Sequence, residues 1–175
     1  IKNTGIRETI DMKMPKKIIH LIIEHNTIEI FDASIVPDSV KTLKYTSNST
    51  QVIMGLKNGL TALNLSYNHI KDFACEIPES VSDLNISQNL FLNTIPKFEN
   101  DGINLASLDI SSTMINDIEN VPDNVINLTT CKCPIKFVVK LPSKLVSWKS
   151  YEATIEQISC DFPNGINHVD LFNCY

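Results

Sequence analysis

The sequence predicts a solenoid of the α/β class, built mostly of β structure, in which short strands form one curved parallel sheet on the concave side. Three features predict it: an apolar position that recurs about every 20 residues, two further core positions at fixed offsets, and a turn position after them. The first position is apolar in eight successive units, at Ile18, Val40, Leu60, Val81, Leu105, Val125, Leu145 and Ile166. A unit this short cannot bury its own apolar side chains, so each must pack against the next.

Residues 60–68, Leu-Thr-Ala-Leu-Asn-Leu-Ser-Tyr-Asn, show the pattern most fully. Alternation predicts a short strand over residues 63–65, with Leu63 and Leu65 in the core and Asn64 facing out between them. Asn68 suits the turn that follows, because its amide can both donate to and accept from backbone groups that a tight bend leaves unpaired.

The other three positions keep the same period along the chain. The fourth position of each unit holds Leu21, Leu43, Leu63, Leu84, Leu108, Leu128, Trp148 and Val169. The sixth holds Ile23, Tyr45, Leu65, Ile86, Ile110, Thr130, Ser150 and Leu171. The turn position holds Asn26, Asn48, Asn68, Asn89, Thr113, Cys133, Ala153 and Cys174. Only the sixth and seventh units have a polar residue at the sixth position. Because all these positions keep one period, we expect the strands of neighbouring units to lie in register.

Prolines mark the return segment, three residues before the first apolar position of a unit. They are Pro15, Pro37, Pro78, Pro122, Pro142 and Pro163. Proline lacks a backbone donor and biases the preceding residue toward an extended conformation. We therefore expect extended or short 3-10 arcs on the convex side.

Most units also send apolar side chains into the core from the convex side. The pairs are Ile28 with Phe31, Val52 with Ile53, Ile70 with Phe73, Ile115 with Ile118, Ile135 with Val138, and Ile155 with Ile158. The fourth unit has a period of 24 residues because of a loop at residues 92–102. We expect this loop to be a tolerated insertion on the solenoid arc.

Two parts are predicted: residues 1–13, an N-terminal flank or partial repeat, and residues 14–175, a repeat domain of about eight units with the last incomplete. Asn3 lies 23 residues before Asn26, about one unit. Nothing after Tyr175 closes the eighth unit. Since solenoids need capped ends, both features predict a fragment of a longer protein.

The pattern Leu-x-x-Leu-x-Leu-x-x-Asn resembles that of leucine-rich-repeat proteins over nearly the whole chain. Its proline-led form, apolar-Pro-x-x-Leu-x-x-Leu, is similar to repeats of secreted bacterial effectors, some of which carry a ubiquitin-ligase domain after the repeats. Similar short repeats occur in proteins of protists and large DNA viruses. The resemblance implies a ligand-binding scaffold without catalytic residues of its own.

Composition and charge narrow the class of binding partner. A net charge of -5 and an isoelectric point of about 5.3 argue against nucleic acid or an acidic membrane surface. No apolar run is long enough to span a bilayer, so no membrane segment is predicted. No signal peptide is visible, and a secreted effector or an intracellular protein is favoured over a disulfide-stapled extracellular one.

The cysteines allow two interpretations. Cys131, Cys133, Cys160 and Cys174 resemble the four-cysteine cap of extracellular leucine-rich-repeat proteins such as Toll-like receptors, which implies disulfides Cys131–Cys160 and Cys133–Cys174. Against this, Cys133 and Cys174 fall on the turn position, where a small buried side chain can replace asparagine. They would then lie two strands apart, roughly 9 to 10 Å, too far for a disulfide. The odd total of five also favours free thiols.

Four Asn-x-Ser/Thr sequons begin at Asn48, Asn64, Asn85 and Asn127. Sugars there would break the turn row or block the concave sheet, so we attribute the sequons to the repeat consensus.

No catalytic, cofactor or metal site is predicted. The histidines His20, His25, His69 and His168 are scattered, without the close spacing of metal ligands. There is no glycine-rich phosphate loop.

Function is therefore expected on the concave face, through contact with a protein partner. Its outward positions are rich in hydroxyl and amide groups, and aromatic side chains dominate the affinity of protein interfaces. The candidate partner-binding residues are Tyr67, Asp83, Asn85, Asp109, Lys149, Tyr151, His168 and Phe172. A solvated polar face remains an alternative for Asp83, Asn85 and Asp109, as does packing against a flank for Phe172.

The leading hypothesis is a protein-binding scaffold, a fragment of a longer protein. One alternative is the substrate-recruiting domain of an effector enzyme such as a ubiquitin ligase. Another is an ectodomain segment of the Toll-like receptor type.

We predict that all five cysteines are free thiols. Alkylation of the denatured protein under non-reducing conditions, followed by mass spectrometry, should modify every cysteine. A Cys131–Cys160 disulfide in that experiment would instead support the receptor alternative.

Overall fold

The computed structural model describes residues 1–2 and 14–173, and the main feature of these residues is an eight-stranded parallel sheet. Its strands, in spatial order, are β1 (His20–Glu24), β3 (Thr42–Thr46), β5 (Ala62–Asn64), β7 (Asp83–Asn85), β8 (Ser107–Asp109), β9 (Asn127–Thr129), β11 (Ser147–Tyr151) and β13 (His168–Phe172). The convex strands are β2 (Ile30–Asp32), β4 (Val52–Met54), β6 (Asp72–Phe73), β10 (Phe137–Val138) and β12 (Gln157–Ile158). The predicted parallel-strand solenoid is confirmed.

The register of the sheet is the one that the repeat period predicts. Leu63 lies opposite Leu84, which lies opposite Leu108, which lies opposite Leu128. Trp148 follows Leu128 in the same row. The fourth position of each unit therefore forms one continuous apolar row inside the solenoid.

This row and the row of sixth positions are buried from the first unit to the seventh. In the eighth unit, Val169 and Leu171 remain 41% and 38% exposed. The difference arises because, among the described residues, β13 pairs with a strand on one side only.

The strand of the template unit begins and ends one residue earlier than expected, as Ala62–Asn64 rather than residues 63–65. The reason is the side chain of Asn64, whose Oδ1 accepts a hydrogen bond of 3.0 Å from the backbone N–H of Ser66. The Ser66 N–H therefore bonds to a side chain and not to a carbonyl of the neighbouring strand. Leu65 nevertheless points into the core, fully buried as predicted.

A ladder of buried asparagines holds the turns that follow the strands. Asn26 N–H donates to Asn48 Oδ1 at 2.8 Å, and Asn48 N–H donates to Asn68 Oδ1 at 3.0 Å. The Asn68 amide donates in turn to the backbone carbonyls of Tyr45 and Leu65, at 3.0 and 2.9 Å. Each asparagine therefore links neighbouring coils and pairs backbone groups that water cannot reach.

The polar sixth positions of the sixth and seventh units are explained by the single tryptophan. Thr130 and Ser150 are fully buried, and Thr130 Oγ1 donates to Ser150 Oγ at 2.9 Å. The buried Trp148 ring donates from Nε1 to Thr130 Oγ1 at 3.1 Å. A buried indole N–H needs an acceptor, and the two hydroxyls supply it where other units have aliphatic residues.

The convex side has the short arcs that the sequence predicts. It carries 3-10 turns at Ala33–Ile35 and Glu99–Gly102. The second of these closes the inserted loop of the fourth unit, which is more than surface decoration because Leu92 and Pro96 in it are buried. Gly102 has φ 64°, and an added Cβ would stand 2.8 Å from the ring of Pro122, so this close packing requires glycine.

Apart from Asn100 and Asp101 in the inserted loop, eight described non-glycine residues adopt left-handed backbone angles, a feature that the sequence analysis did not predict. Each directly precedes the turn position, with φ between 52° and 59°: His25, Ser47, Tyr67, Gln88, Ser112, Lys132, Glu152 and Asn173. Except for Asn173 in the last described coil, their N–H groups donate to the next coil, as from Tyr67 to the Ser87 carbonyl at 3.1 Å. Inter-coil hydrogen bonding thus holds a conformation that is unfavourable in isolation.

Ile1 and Lys2 extend the concave sheet beyond β1. The N–H of Glu24 donates to the Ile1 carbonyl at 2.9 Å, and Lys2 forms a parallel bridge with Glu24. Asn3, which the sequence analysis aligned with Asn26, lies outside the described residues, as do Cys174 and Tyr175.

We predict that Asn68→Ala destabilises the protein by about 3 kcal/mol, because several buried backbone groups lose their only side-chain partner. Urea denaturation with an unchanged m-value measures this. Asn127→Ala, at an exposed site on β9, is the matched control and should change the free energy of unfolding by less than about 0.5 kcal/mol. Equal effects of the two substitutions would contradict a structural ladder.

Candidate functional site

The concave face contains a shallow, open hollow of about 370 Å³. Strands β3, β5, β7, β8 and β9 all contribute to it. The outward side chains that line it are Thr42, Ala62, Asn64, Asp83, Asn85, Ser107, Asp109 and Thr129. Small and polar side chains at these positions leave the sheet open above its centre.

Three of the predicted partner-binding residues lie together in this hollow. Asp83 and Asn85 are on β7, and Asp109 lies directly opposite Asn85 on β8. Asn85 Nδ2 donates to Asp109 Oδ2 at 3.3 Å. The structure therefore brings these three residues into one polar group, which we call the central group.

Four other predicted residues lie together at the last two strands. Lys149 and Tyr151 are on β11, and His168 and Phe172 are on β13, where Phe172 lies opposite Tyr151. Phe172 is 62% exposed. We call these four residues the terminal group; strand β9 separates it from the central group.

Tyr67 belongs to neither group. It follows β5, in the row of left-handed residues at the edge of the solenoid, and is 59% exposed. The prediction that it projects outward is confirmed, but it projects from the edge of the sheet.

Part of the central group has a structural task. Asn85 Oδ1 accepts from the N–H of Ser87 at 3.0 Å, and Asp109 Oδ1 accepts from the N–H of Ser111 at 2.9 Å. Asn64 makes the same contact with Ser66. In each case a side-chain oxygen accepts the N–H that would otherwise continue the strand pairing, and the strand ends there. This gives a physical reason for the repeated Asx-x-Ser sequence. Two of its copies, at Asn64 and Asn85, also match the glycosylation pattern.

Asp83 differs from its neighbour Asp109, although both were predicted as partner-binding residues. It is exposed, and its Oδ2 accepts only from the adjacent Ser82 hydroxyl at 2.8 Å. Within the described ranges 1–2 and 14–173, no lysine ammonium lies within 4.0 Å of either carboxylate. The central group thus offers negative charge that no described lysine compensates by direct contact.

At the first strands the charge is compensated internally. Lys44 donates to Glu24, and this hydrogen bond lowers the pKa of the Glu24 carboxyl against the opposing effect of burial. Thr46 Oγ1 donates to the same carboxylate at 3.2 Å. Glu24 and Lys44 are therefore committed to holding β1 against β3.

Tyr151 is less free than the sequence analysis expected. The Asp170 carboxylate on the neighbouring strand β13 raises the pKa of the Tyr151 hydroxyl. The side chain is half-buried. The ring is therefore only partly available to a partner, and its hydroxyl lies near a negative charge.

The described cysteines, Cys75, Cys131, Cys133 and Cys160, are free thiols. The Cys131–Cys160 disulfide implied by the receptor resemblance is therefore not formed. Cys133 is 1% exposed, and its Sγ donates to the backbone carbonyl oxygen of Ile110 at 3.1 Å. The thiol therefore replaces the turn asparagine, as expected. Burial raises the pKa of the Cys133 thiol.

The described part of the chain contains no group of three or more His, Cys, Asp or Glu side chains arranged to hold a metal ion. In the same residues, no helix combines the length and apolarity needed to cross a membrane.

Comparison with solved structures supports the architecture. YopM from Yersinia enterocolitica WA-314 superimposes with a TM-score of 0.56 at 18% identity, over 90% of this chain and 42% of its own. The functional domain of InlJ from Listeria monocytogenes, which includes a cysteine ladder, gives a TM-score of 0.56 at 16% identity, over 91% and 45%. The chain has the leucine-rich-repeat fold. It spans less than half the length of either neighbour.

No family model matches the sequence, and no curated protein matches it. The leucine-rich-repeat assignment therefore rests on the repeat pattern and on the three-dimensional arrangement of the coils.

The sequence analysis missed a set of exposed apolar residues beside the turn row. Leu90, Phe91 and Met114 are each more than half exposed. For Leu90 and Met114 the available signal was their position, next to Asn89 and Thr113, where other repeats place polar or small side chains. Phe91 gave no such signal, because it stands two residues after the turn position, where other units hold an apolar core residue.

We predict that Asp109→Ala lowers the free energy of unfolding by about 1 kcal/mol, because the Ser111 N–H and the Asn85 amide lose an acceptor. Asp109→Asn, which keeps an acceptor for Ser111, should cost less. Asp83→Ala is the matched control on the adjacent strand and should be within about 0.5 kcal/mol of the wild type. Urea denaturation of the three variants checks the order, and a larger loss for Asp83→Ala would contradict it.

Proposed function

We propose that this leucine-rich-repeat chain is a protein-binding scaffold that recognises its partner through the concave face. The observation that carries the proposal is the polar hollow over β3 to β9, whose outward side chains are not needed to fill the core. Polar side chains fixed on a rigid sheet are suited to specific recognition by hydrogen bonds.

The shape of the hollow favours a macromolecular partner over a small molecule. Small-molecule sites bury most of the ligand in a cavity lined mainly by apolar side chains. Here the hollow is open, and its lining includes Asn64, Asp83, Asn85 and Asp109. A partner surface or an extended segment laid across the strands fits this arrangement better.

The distance between the central and terminal groups indicates how large a partner surface must be to contact both. Four strand-to-strand steps separate β7 from β13, which corresponds to about 19 Å at the usual spacing. A standard protein interface is large enough to cover both groups at once. We propose that Asp83, Asn85 and Asp109 supply polar and charged contacts, and that Lys149, Tyr151, His168 and Phe172 supply charged and aromatic ones.

The same proposal includes an effector setting, in which the repeat domain over residues 14–175 acts within a larger protein and binds a host protein. Its support is the proline-led repeat and the fold shared with two bacterial proteins.

Blocking the hollow should abolish binding without unfolding the chain. A partner isolated on the immobilised protein is purified and then titrated against Ala62→Arg and Ser107→Arg, which place a long side chain above β5 and β8. We expect each to weaken binding by at least about tenfold, because the bulky side chain prevents close contact.

Phe137→Arg and Val139→Arg are the matched controls on the convex side, at residues that are 56% and 48% exposed. They should leave the affinity unchanged. A partner that tolerates arginine in the hollow but not on the convex side would overturn the proposed use of the concave face. Thermal unfolding of every variant verifies that the fold is retained.

A further inference from the structure

Four exposed apolar side chains lie beside the turn row on three consecutive coils. They are Tyr67, Leu90, Phe91 and Met114, which are 59%, 60%, 55% and 54% exposed. We call this set the apolar edge. Because all four follow their strands, the apolar edge lies at the side of the solenoid and not on the concave sheet.

At the two positions that directly flank the turn residue, apolar side chains are confined to these coils. The two residues that flank the turn position elsewhere are polar or small: His25 and Thr27, Ser47 and Ser49, Lys132 and Pro134, and Glu152 and Thr154. The repeat therefore does not call for the apolar side chains of Tyr67, Leu90 and Met114. Phe91 differs, because it stands two residues after the turn position, where other units hold a core residue such as Ile70. In this coil Leu92 enters the core and Phe91 is left exposed.

Leu90 and Phe91 occupy the corner of a tight turn, in which Leu92 N–H donates to the Asn89 carbonyl at 3.0 Å. Glycine, proline, asparagine, aspartate and serine usually fill such corners. Leu92, 1% exposed, is the residue that enters the core here. Neither Leu90 nor Phe91 is needed for packing, and their exposure on an ordered turn points to contact with something outside the chain.

Phe91 is held in place by cationic and aromatic neighbours on the preceding coil. The ring of His69 meets it edge-on, with centroids 6.2 Å apart and planes at 80°. The Lys71 ammonium lies 5.6 Å from the centre of the Phe91 ring. The apolar edge is thus bordered by a positive charge.

No described acidic side chain neutralises that charge. Within the described residues, no carboxylate lies within 4.0 Å of Lys71 Nζ, which donates instead to Gln51 Oε1 at 3.1 Å. The adjacent Asp72 accepts from the backbone N–H of Phe73. A partner that brings a carboxylate beside an apolar side chain would complement both features.

We propose that the apolar edge is a second docking surface, which binds a segment of a partner protein that combines bulky apolar residues with aspartate or glutamate. A second copy of this chain fits less well, because a two-fold contact centred on the apolar edge would bring the two Lys71 side chains near the axis, and therefore near each other, without supplying a carboxylate. The proposal is independent of the use of the concave face.

A displayed library of short random peptides tests the proposal. It is selected on the wild-type protein and counter-selected on the double variant Leu90→Ser, Phe91→Ser. We expect the retained peptides to combine a bulky apolar residue with an acidic one. Synthetic copies should bind the double variant at least about tenfold more weakly and Lys71→Gln about threefold more weakly.

The matched control is Phe137→Ser with Val139→Ser, which removes exposed apolar side chains from the convex side and should not change the affinity. Serine suits the turn corner, so the Leu90→Ser, Phe91→Ser variant should keep its melting temperature to within about 2 °C. Peptide binding to the concave variants Ala62→Arg and Ser107→Arg should also be unchanged, which separates this test from that of the concave face.

Three results would overturn the proposal. The first is that no peptide depends on Leu90 and Phe91, or that those that do are basic. The second is a dimer in sedimentation velocity that the double variant abolishes, which would make a second copy the occupant. The third is binding to anionic phospholipid vesicles that is lost in the double variant while no peptide binds, which would make the apolar edge a lipid contact.

Discussion

The structure depends on pairing the buried backbone groups at the turn after each strand. The chain turns there from the concave sheet toward the convex side. The backbone N–H and C=O groups of this turn are buried inside the solenoid, where water cannot bond to them. Asn48 and Asn68 solve this by bonding both to their own turn and to the coil beside them. Because each coil completes the hydrogen bonds of its neighbour, the period stays near 20 residues and the strands stay in register.

Later coils meet the same constraint with other residues. Thr113 Oγ1 donates to the Ile110 carbonyl at 2.8 Å, and the thiol of Cys133 donates to the same carbonyl. The hydroxyls of Thr130 and Ser150 enter the core only where Trp148 offers an indole N–H to bond. At Thr113, Cys133, Thr130 and Ser150, departures from the repeat pattern are therefore local exchanges of one satisfied buried group for another.

The demand for backbone pairing also limits which surface groups are available to a partner. Asn85 and Asp109 each spend one oxygen on ending their strand, whereas Asp83 is free of that task. Tyr151 on β11 lies near the Asp170 carboxylate on β13. The concave face thus offers fixed polar and aromatic groups. The apolar edge around Phe91 offers a chemically different surface on the same rigid coils, so one chain can engage two kinds of contact.

The sequence by itself determined the solenoid, the buried rows, the register and the role of Asn68, because these follow from a period that every unit repeats. It also placed Asp83 and Phe172 on the outside. Only the tertiary structure decided that Asp109 holds the Ser111 N–H, that Tyr151 reaches Asp170 and that Phe91 leans over His69. The last two contacts join side chains about 20 residues apart in sequence, and the direction of each side chain depends on what the neighbouring coil presents, which no single repeat encodes.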